Sequence, residues 1–289
     1  MDYFIHLAIL ICIYLILAQS FNLTFGLGRL FNLAHVAIYS IGAYTTAILS
    51  TDFEQGFLIC IAASMALSAL FALLIGAISL KLTFDYFAIG TIAFSAVVTA
   101  LLINWKTLTR GVLGIPGIPR PQFWGIDFYD NQNFLMLIGS FVLISYLLLA
   151  LVFKNRFARK LQMQAEYVPA AQALGVEIRG IRNDAFILSS IFAGLAGSFY
   201  AYYINYVDPT SFSLNEMVFV MSIVIMGKPG SFGGVVASTV FLVLLPEPLR
   251  FIEIEPGILG PMRQLLYALL LFGVVYWKRA SLFPVQRTV

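Results

Sequence analysis

Charged residues are scarce in this 289-residue chain. Only 11% are Asp, Glu, Lys or Arg, against about 25% in an ordinary soluble domain, which excludes a water-exposed globular enzyme. Histidine and cysteine are rarer still. His6 and His35 stand far apart, and Cys12 and Cys60 lie inside separate apolar segments. Neither pair has the spacing of a metal site or a disulfide framework, so the cysteines read as small hydrophobic residues. A phosphate-binding loop is also lacking. "MGKPGSFGG" (226–234) has no upstream glycine, and a proline follows Lys228 where Ser or Thr is needed. The first apolar segment has no basic n-region before it and no small-residue cleavage site after it, so it is expected to be a retained helix. Ionisable groups inside the apolar segments are few: His35, with Asp85 and Glu216 near segment ends. An ion-coupled carrier would place more of them there, and an intramembrane enzyme would need paired carboxylates or metal ligands.

What the chain has is apolar sequence, 61% of the whole. About 20 apolar residues span a bilayer as a helix. Nine such segments fall near 3–25, 29–50, 57–80, 86–104, 134–153, 185–204, 216–227, 233–252 and 262–277. The expected fold is an all-α polytopic membrane protein, one transmembrane domain over 1–289, with eight to ten spans. The short segment at 216–227 reads as a half-helix or re-entrant piece. If the segments alternate and the basic 154–184 connection lies in the cytoplasm, twelve of the 17 Lys and Arg fall inside, including Arg29, Lys81, Lys228, Lys278, Arg279 and Arg287. Asp52, Glu54, Asp127, Asp130, Glu253 and Glu255 fall outside. This predicts an external N-terminus and a cytoplasmic C-terminus. The net charge of +3 is then a topology signal and does not point to nucleic acid.

Two long connections separate the spans. The outer one, 105–133, contains "GVLGIPGIPRPQFWGIDFYD", too rich in Gly and Pro for a regular helix. Its apolar content predicts a packed cap, with Trp105, Trp124 and Tyr129 as interfacial anchors. The inner connection, 154–184, opens on "KNRFARK". Residues 159–174 suit an amphipathic helix with Leu161, Ala165 and Val168 on one face and Gln162, Gln164 and Glu166 elsewhere. Pro169 is expected to kink it or to begin a second helix, and Gly175 to cap its end. Such a helix either docks on a partner or lies on the membrane surface. Gly227, Gly230, Gly233 and Gly234 predict a tight turn with close helix approach.

The spans carry neutral polar groups instead of charges: Gln19, Asn22, Thr24, Asn32, Ser40, Thr45 and Thr46 early on, then Thr91, Ser95 and Thr99. Neutral donors and acceptors suit a path for a small polar or zwitterionic solute. A self-contained channel or ion-coupled carrier stays open on these grounds. It is distinguished by whether the 154–184 loop binds a nucleotide-binding subunit.

Several stretches resemble one family. "AQSFNLTFGLGRLFNLAHVAIYSIGAYTTAIL" (18–49), "DYFAIGTIAFSAVVTALLINWKTLTRGVLGIPGIP" (85–119), "AAQALGV" (170–176), "FAGLAGSFYAYYINYVDPTSFS" (192–213) and "MGKPGSFGGVVAS" (226–238) together are similar to the LivH/LivM-type permeases of branched-chain amino acid ABC importers, and to the LivM half in particular. The resemblance departs at "LQMQAEY" before Pro169 and at Lys228 and Pro229. It implies a subunit of the bacterial inner membrane, working beside a second LivH-like permease, two ABC ATPase subunits, a periplasmic solute-binding protein and membrane lipid. ATP and Mg would reside on the ATPases and no cofactor on this chain. It further implies that Ala171, Ala173, Leu174 and Gly175 contact the ATPase, and that Asn22, Asn32, His35 and Tyr39 lie near the translocation path, with Thr91 and Ser95 added from the polar pattern of the fourth span. Branched-chain amino acids are the first expected substrate, other amino acids next, and urea or short amides behind them.

Overall fold

The apolar segments fold as helices of unequal length. A computed structural model describes residues 2–79, 84–123, 126–248 and 256–282. Lys81, Trp124, Glu253, Glu255 and Arg287 lie outside the described residues, as do the side chains of Asp85, Lys278 and Arg279. Helix α1 (Asp2–Phe21) runs directly into a π-helical turn, Asn22–Leu27, and after an irregular stretch the chain resumes as α2 (His35–Thr51). Then follow α3 (Phe57–Ser79), α4 (Phe84–Asn104) and a single turn α5 (Lys106–Thr109). Two-residue strands β1 (Ile115–Pro116), β2 (Gln122–Phe123) and β3 (Ile126–Asp127) come next, then α6 (Asn131–Lys154), α7 (Arg156–Glu166), α8 (Val168–Ala173) and α9 (Ile178–Ile204). Strand β4 (Tyr206–Val207) precedes α10 (Leu214–Met226), α11 (Phe232–Leu244) and α12 (Pro256–Leu282). Helices therefore dominate, as an all-α polytopic membrane protein requires.

Five helical stretches are long and apolar enough to cross a membrane: Asp2–Leu27, Phe57–Ala77, Tyr86–Asn104, Asn131–Lys154 and Ile178–Ile204. Two expected spans, the second and the eighth, are shorter than the sequence suggested, and the seventh is as short as expected. The second begins only at His35, because Arg29 adopts a left-handed backbone (φ 50°) and the Asn32 side chain takes the Ala34 N–H that a continuing helix would use. Helices α10 and α11 have 13 residues each, a rise of about 20 Å against a hydrocarbon core of about 30 Å. The glycine turn ends α10, and α11 stops ahead of Pro246 and Pro248, short of the expected end at 252.

The core is the contact of α2, α3 and α9. Helices α2 and α9 meet backbone to backbone: a Cβ on Gly42 would sit 2.5 Å from the Gly194 carbonyl oxygen. Small residues permit this approach, and hydroxyls reinforce it. Ser64 donates to the Gly194 carbonyl at 2.9 Å and Thr46 to Ser198 at 2.8 Å. By contrast α6 lies at the periphery, with Leu143, Leu147 and Leu151 exposed, as a lipid-facing helix should.

The 105–133 connection is a packed cap. Strand β1 pairs antiparallel with β4, Ile115 opposite Val207, and β2 pairs with β3. Arg110 bonds Asp52 at 2.9 Å. The Arg120 guanidinium lies over the rings of Phe134 and Tyr203 at 5.2 and 5.3 Å and donates to the Tyr129 carbonyl and Asn131 Oδ1. Trp105 and Tyr129 stand half exposed.

Candidate functional site

Two interruptions of helix meet inside the protein and satisfy each other. A π-helical turn leaves backbone groups out of register with the ordinary helical ladder, and such bulges favour functional positions. Here the turn opens on Asn22, which is fully buried; its Oδ1 accepts the Gly230 N–H at 2.8 Å, while Nδ2 points to Gln19 Oε1 and the Ser231 carbonyl, both at 3.4 Å. Gln19 in turn donates to the Phe232 carbonyl at 2.8 Å. The side chains of the first helix thus complete the backbone of the α10–α11 turn, as broken backbone at membrane depth requires.

The glycines of that turn are not equivalent. Gly230 has φ +82° and faces Gly26 across the contact. Gly227 and Gly234 pack on each other where α10 meets α11, and a Cβ on Gly227 would lie 2.6 Å from Ser238 Oγ. Gly233 faces open space, which corrects its assignment to the close approach: the other three carry it. Lys228 is held at φ 68°, a left-handed conformation that a lysine adopts at some cost.

The remaining residues expected near a path divide into two groups. Thr91 accepts the Leu33 N–H at 3.1 Å and Ser95 donates to the Leu33 carbonyl at 3.1 Å. Both therefore serve the backbone of the irregular stretch before α2. Asn32, His35 and Tyr39 are buried beside them, spaced three and four residues apart. His35 Nε2 lies 3.0 Å from Ser20 Oγ and 3.3 Å from the Leu17 carbonyl. Asn32 Nδ2, His35 Nδ1 and the Tyr39 hydroxyl have no hydrogen-bond partner. Buried polar atoms are nearly always paired, so this row has unused hydrogen-bonding capacity in the core. The Tyr39 ring lies edge-on to Tyr200 and Phe212.

At the C-terminal end of α6 the 154–184 connection forms two helices, because Pro169 suits the first turn of a new helix and Tyr167 is extended between them (φ −154°, ψ 103°). Helix α7 buries Ala158 and Leu161 and also Gln164. The sequence pattern had set Gln164 on the polar side. Burial is possible because both ends of its amide are used: Nε2 donates to the Gly28 carbonyl at 2.9 Å, and Oε1 accepts from Arg182 Nε at 2.7 Å. Helix α7 is thereby fastened to the end of the π-turn. Helix α8 closes with a Schellman arrangement: Val176 N–H bonds the Ala171 carbonyl, Gly175 N–H bonds the Gln172 carbonyl, and Gly175 has φ +78°. Ala171 is buried, whereas Ala173, Leu174 and Gly175 are exposed, Leu174 by 70%. With Tyr167, also exposed, they make an apolar projection.

A cleft of about 390 Å³ separates α7 from the turn, with Arg29 and Lys228 on one side and Gln162 and Glu166 on the other. Sequence reasoning missed the Gln164 bridge and Arg263, which lines a second pocket with Glu216. An arginine at the start of the apolar 262–277 segment, well before Lys278 and Arg279 at its end, was the available signal.

Comparison with known proteins is consistent across the chain. A family described as branched-chain amino acid transport system / permease component matches residues 3–275. The high-affinity branched-chain amino acid transport system permease protein LivM of Escherichia coli (strain K12) is 31% identical over 307 aligned positions, covering 98% of this chain and 70% of that protein. The LivM protein of Salmonella typhimurium matches with the same identity and coverage. The guanosine ABC transporter permease protein NupQ of Bacillus subtilis is 24% identical over 186 positions, covering 59% of this chain and 58% of its own length. No solved structure matches.

Proposed function

The chain belongs to the branched-chain amino acid transport permease family, and on that premise we propose that it forms half of the translocation path of an ATP-driven importer for branched-chain amino acids. The other half is a LivH-like permease, a periplasmic binding protein delivers the solute, and two ABC ATPases carry ATP and Mg. This chain then contributes no nucleotide site. In this reading it lies in the bacterial inner membrane with the 154–184 connection and the C-terminus in the cytoplasm, in line with the distribution of Lys and Arg.

The observation that carries the mechanism is the Gln164 bridge. ABC ATPases deliver work by moving against the permease, so the receiving element must be both exposed and attached to the path. The α7–α8 projection meets both needs: Ala173, Leu174 and Gly175 stand free for an ATPase groove, and Gln164 holds the Gly28 carbonyl. Beyond Gly28, Asn22 and Gln19 hold the α10–α11 turn. A displacement of α7 is thus transmitted to two helix breaks at once. Asn22, Asn32, His35 and Tyr39 lie along the path, and Thr91 and Ser95 support its backbone.

The test is purification from the native membrane in mild detergent, with co-purifying subunits identified. ATPase activity is then assayed with the loaded binding protein and leucine, guanosine or urea. Recovery of a second permease and ATPases, with hydrolysis stimulated by branched-chain amino acids, is expected. Recovery of this chain alone, still conducting solute, would overturn the reading in favour of a channel or carrier. Stimulation by guanosine or urea alone would reassign the substrate.

A further inference from the structure

At the end of the bundle away from α7, a pocket of about 340 Å³ opens between α1, α10, the end of α11 and α12. On α1 it is reached by Leu7, Leu10 and Tyr14. Its charges are unusual for a membrane segment. Glu216, in the first turn of α10, faces the Tyr14 hydroxyl. Arg263, on α12, faces the same space, and its Nε is buried with no hydrogen-bond partner. Among the described residues no ion pair joins Glu216 to Arg263. A carboxylate in the first turn of a helix gains from the helix dipole. No such account covers the guanidinium, because a buried N–H without an acceptor is a standing cost. A second carboxylate, Glu247, lines the same space and accepts from the Tyr3 hydroxyl; Asn215 and Gln264 add neutral polar groups, and Leu7, Leu10, Phe219 and Val243 form the apolar part of the wall.

A ligand that satisfies this pocket carries a cation, an anion and a small apolar group. We propose that the pocket binds a zwitterionic α-amino acid within the permease, its ammonium on Glu216, its carboxylate on Arg263, and its aliphatic side chain against Phe219 and Val243. The assignment rests on the importer reading and adds to it a binding station on this chain. The volume falls within the usual range for small-molecule sites, roughly 300–1,000 Å³. Phe219 stacks at an angle on Tyr267 of α12 with centroids 4.6 Å apart, so the two charged helices are fixed relative to each other by an apolar contact beneath the site.

The experiment uses the complete transporter with its partner subunits, in lipid nanodiscs and without the binding protein. Binding of leucine is compared with binding of leucinol, which lacks the carboxylate, and of 4-methylpentanoate, which lacks the ammonium. The parent is expected to prefer leucine to either probe by about tenfold or more, the order expected for one charge-assisted hydrogen bond. Arg263→Gln should remove the preference over leucinol and keep that over 4-methylpentanoate; Glu216→Gln should do the reverse. Arg263→Lys should restore part of the leucinol discrimination, which separates charge from folding. Equal binding of the three probes by the parent, or no binding of leucine, overturns the site whatever the variants do. Uptake and ATPase stimulation in the same preparation report separately on the importer reading: if these are present while leucine binding is absent, the station is wrong and the family function stands.

Discussion

Replacing Gln164 separates the two halves of the bridge between α7 and the first helix. Gln164→Leu keeps volume and removes both bonds, leaving the Gly28 carbonyl without its amide donor and Arg182 Nε without this acceptor. The amide bond contributes about 0.5–1.5 kcal/mol and the one to arginine about 1.5–3, so a loss of about 2–4 kcal/mol is expected. For a chain of this size that lowers the melting midpoint by roughly 3–7 °C. Gln164→Glu keeps the acceptor for Arg182 and sets a carboxylate oxygen where the donor lay, 2.9 Å from the Gly28 carbonyl oxygen. Its stability should fall between parent and Leu variant. The functional consequence should be the same in both, because each cuts the link to Gly28: ATP hydrolysis continues while solute imported per ATP declines. Fluorescence-monitored melting in detergent and paired uptake and hydrolysis in proteoliposomes measure the two effects. A Leu variant with the parental melting midpoint and the parental uptake per ATP would refute the bridge.

Leu174→Asp should leave the melting midpoint unchanged, since the side chain is 70% exposed, yet abolish co-purification of the ATPases; retained association would show that α8 is not the docking element. Gly175 is a poorer site for this test, because φ +78° penalises any side chain placed there. Gly42→Val inserts a Cβ 2.5 Å from the Gly194 carbonyl and should cost about 3 kcal/mol or more by overpacking; a parental melting midpoint would mean that α2 and α9 do not touch as described. Burial pushes the Asp208 carboxyl up, but hydrogen bonds from Ser211 and Thr210 outweigh it and hold it below the ordinary aspartate range. A depressed carboxylate pKa stabilises at pH values above the unfolded one and ceases to do so as pH falls through the folded one. Hydrogen exchange at residues 209–212, corrected for its intrinsic pH dependence, should therefore stay slow down to about pH 4 and quicken below, whereas Asp208→Asn should lack this transition.

The membrane class, the helical fold and the helices of the 154–184 connection were legible in the sequence because each follows from local composition. A long run such as 131–154 needs no partner to be recognised, and Pro169 and Gly175 act within a few residues of themselves. Of the two half-length helices, α10 was expected as one and α11 was not. Residues 233–252 read as one span because apolar content continues past the point where Pro246 and Pro248 intervene. Gln164 was misplaced for a different reason: polar residues are assigned outward by type, whereas this one is buried because Gly28 and Arg182, 136 and 18 residues away, need its two ends. Thr91 and Ser95 were legible as polar residues within a span. Their service to the Leu33 backbone depends on a helix break 58 and 62 residues earlier, which local pattern does not encode.

The shortness of α10 and α11 bears on how the protein is made. Neither helix reaches across a bilayer, so neither is a stable inserted element when it leaves the ribosome. The turn joining them depends on Gln19 and Asn22, which are synthesised long before it. The first helix must therefore already be seated, and kept accessible, when the hairpin emerges. Insertion of residues 214–244 becomes a templated event, completed against an earlier part of the chain, and deletion of α1 and the π-turn should leave the hairpin exposed to membrane quality-control proteases even though its own sequence is intact.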